Sequence, residues 1–295
     1  MNHHIFRPDY TYKPKLYFVT TFIVTYSLWF AGAYVNYQDD RNGLYMLFML
    51  PGLMAPLLIS VAMIATSKNS SFKKDYLNRL FNPGLIQLKM LPAVLLVMPL
   101  SVLASIVLSL PFGGSVSQFQ FAEGFSFSSG FVPVLLLLLL AASFEELGWR
   151  GYAFDSLQSR YNLFWTSLMF SILWSLWHLP LIFVNNSYQY EIFHQNIWYG
   201  VNFFVSIIPM GVIVSWVCIK NRKSIIAAIL FHFIINMSQE ILAMSQAAKC
   251  IETVVLTVVA AVIVLLDKEM FFSIRRHSVS GIRHMQAVCS FDNRC

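Results

Sequence analysis

The sequence predicts an all-α, polytopic transmembrane protein: a helical bundle of about eight spans with both termini in the cytoplasm. Three observations predict it. Of 295 residues, 57% are hydrophobic and only 12% are charged, and the mean hydropathy is +0.63. Soluble domains carry about 25% charged residues, so too little polar surface is present to clothe a globule in water. Apolar runs near the ~20-residue length that crosses a bilayer recur along the chain. Lys and Arg then fall in alternate connecting segments, as in membrane proteins with fixed topology.

The predicted spans lie near 16–36, 44–66, 91–110, 131–154, 163–184, 198–218, 225–245 and 251–267. The first three are conventional. The fourth opens with a Leu-rich run and then admits Glu145, Glu146 and Arg150. The last is short, carries Glu252 and extends toward Phe271 and Phe272. Between spans two and three, Phe72, Tyr76, Leu80 and Phe81 interleave with Lys and Arg. This stretch reads either as an amphipathic surface helix or as a basic loop.

One set of connections is basic: the N-terminus, 67–90, the turn with Arg160, the turn with Lys220, Arg222 and Lys223, and the 268–295 tail. The other set carries only Arg41 and Lys249. The positive-inside rule therefore puts both termini in the cytoplasm, in agreement with an even number of spans. The net charge of +6 reads as topology signal facing anionic lipid, not as a nucleic-acid surface. Cys218, Cys250, Cys289 and Cys295 are too widely spaced for a disulfide framework. The final residues do not place a cysteine four from the end, as prenylation requires. The first apolar run is long enough to be kept as a span rather than removed as a signal peptide. Residues 1–267 read as a single transmembrane domain, followed by a basic cytoplasmic tail.

Ionisable residues within spans cost a few kcal/mol each on insertion scales, so they face a cavity, pair with one another, or work. Glu146 and Arg150 are four apart on one helix face and can pair. Glu145 points about 100° away; with no expected partner within its span, it is suited to general-base work. The competing reading is a helix end emerging among headgroups, with all three charges hydrated. Trp174 and His178 are four apart, so the indole can pack beside the imidazole. His232 and Asn236 share a face one turn apart, either as a wall of a polar pocket or as helix–helix hydrogen-bonding groups. Asp267 and Glu252 lie at span ends and carry no expectation. Together, a carboxylate, an imidazole and an imidazole–amide pair suffice to activate a water and to stabilise an oxyanion.

The pattern Glu-Glu-x-x-x-Arg, then Trp-x-x-x-His, then His-x-x-x-Asn resembles the CAAX protease and bacteriocin-processing (CPBP, or Abi) family over about 131–245, and looks like its bacterial members in particular. The family's second motif usually begins with Phe; Trp174 keeps the aromatic. The resemblance implies an intramembrane endopeptidase with Glu145 and His178 as the water-activating pair, and His232 and Asn236 as the oxyanion hole. Glu146 and Arg150 would be structural support, as would Trp174. The implied substrate is a membrane-associated or lipidated peptide, with membrane lipid as the other partner and no nucleic acid. The expected location is the bacterial cytoplasmic membrane.

A metal-free glutamate site is expected. The alternative is zinc held by Glu145, His178 and His232, a plausible two-His, one-carboxylate set. However, no H-E-x-x-H helix is present, and Asn236 is a better oxyanion donor than zinc ligand. Straight helices with the boundaries above put His232 about 12 Å deep and His178 about 20 Å deep; tilt is needed to bring them together. Two other functions compete. A proton-coupled transporter would continue the His232, Asn236 and Glu240 stripe to both faces. A bacteriocin-immunity or scaffold protein would keep the fold without the activity.

Overall fold

The computed structural model describes residues 10–38, 43–124, 133–185 and 187–273. The helices are α1 (Pro14–Tyr37), α2 (Met46–Thr66), α3 (Ser70–Phe81), α4 (Leu91–Ser109), α5 (Val134–Gly148) and α6 (Phe154–Gln158). Then come α7 (Leu163–Trp177), α8 (Tyr188–Gln195), α9 (Ile197–Lys220), α10 (Ile225–Glu240), α11 (Gln246–Leu266) and α12 (Lys268–Phe272). Among the described residues there is no strand, and six helical segments are long and apolar enough to cross a membrane. The chain is thus an all-α integral membrane protein.

All eight predicted spans are helical, with four changes of outline. The fourth runs as α5, a π-helical turn at Trp149–Ala153, and α6; residues 131 and 132 of the expected span lie outside the described residues. The fifth stops as an α-helix at Trp177 and continues as a 3₁₀ stretch, Leu179–Phe183. The seventh, α10, ends at Glu240, short of the expected 245. The eighth begins at Gln246, five residues before the expected 251. Of the tail, 274–295 lies outside the described residues.

Prolines inside helices leave a carbonyl four residues earlier without its N–H partner, and neighbouring helices supply one. Pro56 of α2 frees the carbonyl of Gly52, which accepts from Thr25 Oγ1 of α1 at 3.1 Å. That hydroxyl in turn accepts from Trp177 Nε1 at 2.9 Å, tying α1, α2 and α7 together. Pro180 frees the carbonyl of Leu176, and Tyr26 of α1 donates to it at 2.6 Å. The π-helical turn loosens further carbonyls. Arg79 of α3 donates to Arg150 O at 3.1 Å and to Gly151 O at 3.4 Å.

The segment between spans two and three is therefore a helix, not a loop. Its Phe72, Tyr76 and Arg79 are buried, while Phe81 is exposed. Arg79 pairs with Asp75 and Asp155, each at 2.9 Å, and Lys223 Nζ reaches Asp155 at 2.5 Å. Lys223 projects from a sharp α9–α10 turn in which Arg222 and Lys223 take left-handed φ values of 52° and 64°. Desolvation is the largest influence on Asp75 and holds its carboxyl above the usual range, even with Arg79 opposing. Asp267, given no role by the sequence, ties α11 to α9 by accepting from Lys220 and Trp216, each at 2.6 Å.

Close packing of α5 on α2 sets the position of the acidic pair. A Cβ on Gly148 would lie 2.3 Å from Pro56 C and 2.5 Å from Pro56 O, backbone atoms that cannot swing aside. Gly148→Ala is predicted to lower thermal stability in detergent by about 1–3 kcal/mol, the range for overpacking. Gly124→Ala, where an added Cβ meets nothing within 4 Å, serves as the control and should leave the melting curve in place. Equal melting of both variants would contradict the α2–α5 contact.

Candidate active site

Glu145 and Glu146 sit in the last turn of α5, before the helix widens at Trp149. They diverge as the helical rotation requires. Glu146 is fully buried: its Oε2 accepts from Arg150 Nε at 2.8 Å, and its Oε1 meets His232 Nδ1 of α10 at 3.0 Å. Arg150, also buried, donates from Nη1 to Ser215 Oγ of α9 at 3.1 Å. Its guanidinium carbon lies 4.4 Å and 4.8 Å from the ring centroids of Phe170 and Phe154. Nη2 has no hydrogen-bond acceptor, and the π faces supply the compensation. The pair expected from the i, i+4 spacing thus forms, and it extends to His232, a link the spacing within one helix could not show.

Glu145 was expected to find no partner within its own span. It has one: Trp149 Nε1, one turn on, donates to its Oε2 at 3.3 Å. A second donor, Trp174 Nε1 of α7, reaches the same oxygen at 2.7 Å. The spacing rule for pairs four apart applies to Glu145–Trp149 as it does to Glu146–Arg150, and an indole N–H is a donor, so a neutral partner meets the carboxylate where no charged one is in reach.

His178 is the residue at which α7 ends. Its backbone N–H bonds to Ser175 O at 3.1 Å, the tighter 3₁₀ pattern that leads into the Pro180 stretch. The carbonyl of Trp174 thereby loses its α-helical partner and meets His178 Nδ1 at 2.8 Å instead. A carbonyl only accepts, so Nδ1 carries the proton and Nε2 presents its lone pair. The end of the helix thus fixes the tautomer. The Trp174 ring packs 6.0 Å from the His178 ring and 5.2 Å from the His232 ring, between centroids. His178 lies close enough to both Glu145 and His232 to interact with each electrostatically. The depth mismatch expected from straight helices does not keep the histidines apart.

Asn236, one turn beyond His232, is half-buried. Among the described residues it has no hydrogen-bond partner, so its amide is free to bind a ligand. Two residues outside the expected set belong to this framework: Ser215, whose hydroxyl braces Arg150, and Trp149. Ser215 lies four residues after Gly211, and its hydroxyl donates to Gly211 O at 2.6 Å. Small residues four apart are a helix-packing signal that could have marked it. Glu252, given no role by the sequence, is buried and accepts from Gln239 at 2.7 Å.

Among the described residues no three His, Cys, Asp or Glu side chains are grouped so as to hold one metal ion. Glu146→Gln is predicted to destabilise the protein by about 3–5 kcal/mol, because Arg150 is left buried without a counter-charge. Thermal unfolding in detergent checks this; a melting curve like that of the unaltered protein would contradict the pairing.

The geometry can be set beside known proteins. The family model for Type II CAAX prenyl endopeptidase Rce1-like proteins matches residues 127–238, which contain all three motifs. CAAX prenyl protease 2 of Methanococcus maripaludis is 68% identical over 264 residues, covering 90% of this chain and 97% of the relative. On that similarity the chain belongs to the Rce1-like family of type II CAAX prenyl endopeptidases and is a membrane-embedded protease.

Proposed function

We propose that the protein hydrolyses a peptide bond in a prenylated, membrane-associated peptide, using a water activated by Glu145 and His178. The observation that carries this reading is the placement of Trp174, whose indole bonds Glu145 and packs against both His178 and His232. In this reading the water oxygen attacks the scissile carbonyl carbon, and its proton passes to Glu145 or to His178 Nε2. His232, doubly protonated so that Nδ1 donates to Glu146 and Nε2 donates outward, and the free amide of Asn236 donate to the oxyanion that forms. The C–N bond then breaks, and the proton is delivered to the leaving nitrogen. No atom of the protein is bonded to the substrate at any stage. Glu146 and Arg150 hold His232 from behind.

The engagement of His232 Nδ1 by Glu146 and the presence of Asn236, a better oxyanion donor than zinc ligand, support a metal-free site over zinc. A buried apolar cluster that runs from Tyr17 to Ile263 supports reading 1–267 as one transmembrane unit around the 131–245 core, and Phe271, buried in the same cluster, extends that unit into α12. Arg79, Asp155 and Lys223 meet at one end, so three connections lie on the same side: 67–90, the segment after α5, and the α9–α10 turn. All three are basic or adjoin a basic turn, which supports a cytoplasmic placement for that end and for both termini in a cell's cytoplasmic membrane. A transporter would need a polar path through both ends. Toward the basic end the site is closed by Arg150, Phe154, Phe170 and Phe231, all buried, which favours a single pocket.

Three outcomes are predicted for the purified protein acting on a prenylated peptide. Glu145→Gln and His178→Ala reduce turnover by at least the about 10²–10⁴-fold of a general base, with insertion and melting intact. Trp174→Phe keeps the fold and lowers kcat/KM about 10-fold or more, the worth of a hydrogen bond to a charged group. Prolonged chelation leaves the unaltered enzyme active. Undiminished cleavage by Glu145→Gln contradicts the proposed base, and loss of activity on chelation, restored by zinc, contradicts the metal-free site.

A further inference from the structure

The 67–90 connection at the basic end has two faces of different chemistry. Toward the protein, α3 buries Phe72 and Tyr76, and Arg79 pairs with Asp155. At 3.6 residues per turn, Leu77 and Phe81 fall on the side opposite that buried row. Leu77 is 50% exposed and Phe81 is 71% exposed. Lys73 and Lys74 flank this apolar pair, one to each side of it. Beyond the helix, Leu88 is 79% exposed and the exposed Lys89 follows it. Among the described residues, Lys73, Lys74 and Lys89 make no ion pair. The acid between them, Asp75, is taken by Arg79 at 2.9 Å. The outer face is thus apolar in the middle and cationic at its margins.

The chain on both sides holds this face at the membrane surface. The spanning helix α2 ends at Thr66, and only residues 67–69 separate it from α3. Three extended residues reach about 10–11 Å. On the other side, the apolar segment long enough to cross a membrane begins at Leu88 itself. The headgroup layer is about 5–7 Å deep on each side of the hydrocarbon. α3, about 18 Å long at 1.5 Å per residue, is therefore confined near that layer, and its buried row fixes which face it turns outward. Water is a poor solvent for three large apolar side chains. Hydrocarbon accepts them, and lysine stems let the ammonium groups reach back to the headgroups. An apolar row with lysines at its edges is the composition of a helix seated in an anionic interface.

We propose that the outer face of α3, continued by Leu88 and Lys89, binds anionic phospholipid in the leaflet at the basic end. Leu77, Phe81 and Leu88 sit among the acyl chains, and Lys73, Lys74 and Lys89 meet the phosphates. The consequence reaches inside the protein. Arg79, on the inner side of the same helix, donates to Arg150 O at 3.1 Å and to Gly151 O at 3.4 Å, carbonyls of the π-helical turn. Lipid that holds α3 therefore steadies the turn from which Arg150 reaches Glu146 at 2.8 Å. Anionic lipid is then a ligand of the folded state and stabilises it by mass action. This inference does not depend on the chemistry assigned to Glu145.

The test compares the full-length protein in nanodiscs of phosphatidylcholine with the same protein in discs of phosphatidylcholine mixed with phosphatidylglycerol. Amide hydrogen exchange over 70–90 is predicted to be about 10-fold slower in the anionic discs, and raised salt should remove the difference. The combined variant Lys73→Gln, Lys74→Gln and Lys89→Gln should exchange alike in both discs, at the rate of the unaltered protein in phosphatidylcholine, which also reports that it folds. Phe81→Trp tests the apolar half. The emission that this indole adds to that of the unaltered protein should be quenched by lipids brominated on their acyl chains and not by acrylamide in the water. Equal exchange of the unaltered protein in the two discs overturns the inference without need of a variant. So does a combined variant that keeps the difference. Slowing by inorganic phosphate added to phosphatidylcholine discs overturns the choice of lipid as the ligand, and an added indole quenched by acrylamide alone overturns the seating of Phe81 in the bilayer.

Discussion

The structure turns on one carboxylate. Glu146, with no exposed surface, is shared between Arg150 and His232. In a membrane interior an isolated charge costs several kcal/mol, and a pair repays that cost only when its remaining hydrogen-bonding capacity is also met. Both oxygens of Glu146 are used. Arg150 uses Nε on Glu146, Nη1 on Ser215, and two aromatic faces on its plane. The arrangement brings α5, α9 and α10 together at one level. Because it takes Nδ1 of His232, it also decides which edge of that ring is offered to a ligand.

A second constraint acts through the backbone. Prolines and a π-helical turn interrupt the hydrogen-bond ladders of α2, α5 and α7, and each loosened carbonyl is met by a side chain from elsewhere. Thr25, Tyr26 and Arg79 do this for the framework, and the His178 ring does it for the site. The last case links local structure to chemistry most directly. The α-helix tightens before Pro180, the Trp174 carbonyl is released, and the imidazole that takes it is fixed as the tautomer whose free nitrogen can receive a proton. The Trp174 indole, on the same residue, meets Glu145. One residue thereby orients both members of the proposed water-activating pair.

Much of this was readable in the sequence, and the limits have physical reasons. Apolar length and the placement of Lys and Arg sufficed for the eight helical segments, because bilayer thickness and insertion cost act on residue type alone. The Glu146–Arg150 pair followed from helical spacing. The cross-helix contacts did not: nothing in the pattern could show that Glu146 reaches His232, or that Ser215 braces Arg150. The role of Arg79 in the basic 67–90 connection is not legible from composition, because it satisfies carbonyls that a π-helical turn releases, and that turn has no local signature. Glu252 and Asp267 were set aside on position in the chain, yet each is held by a partner from another helix. Trp149 obeys the same spacing rule as Arg150, and its indole N–H meets Glu145 as a neutral donor that charge pairing alone does not reveal.

The central claim is that water attacks the peptide bond directly, with Glu145 acting on the proton and never as the nucleophile. A single-turnover reaction in ¹⁸O-labelled water, with enzyme in excess over prenylated peptide, tests it most directly. The account predicts one ¹⁸O atom in the new carboxylate of the product and none in the peptide that contains Glu145, read by mass spectrometry. Label in the Glu145 side chain, with an unlabelled first-turnover product, would reveal an acyl–enzyme anhydride and contradict the account.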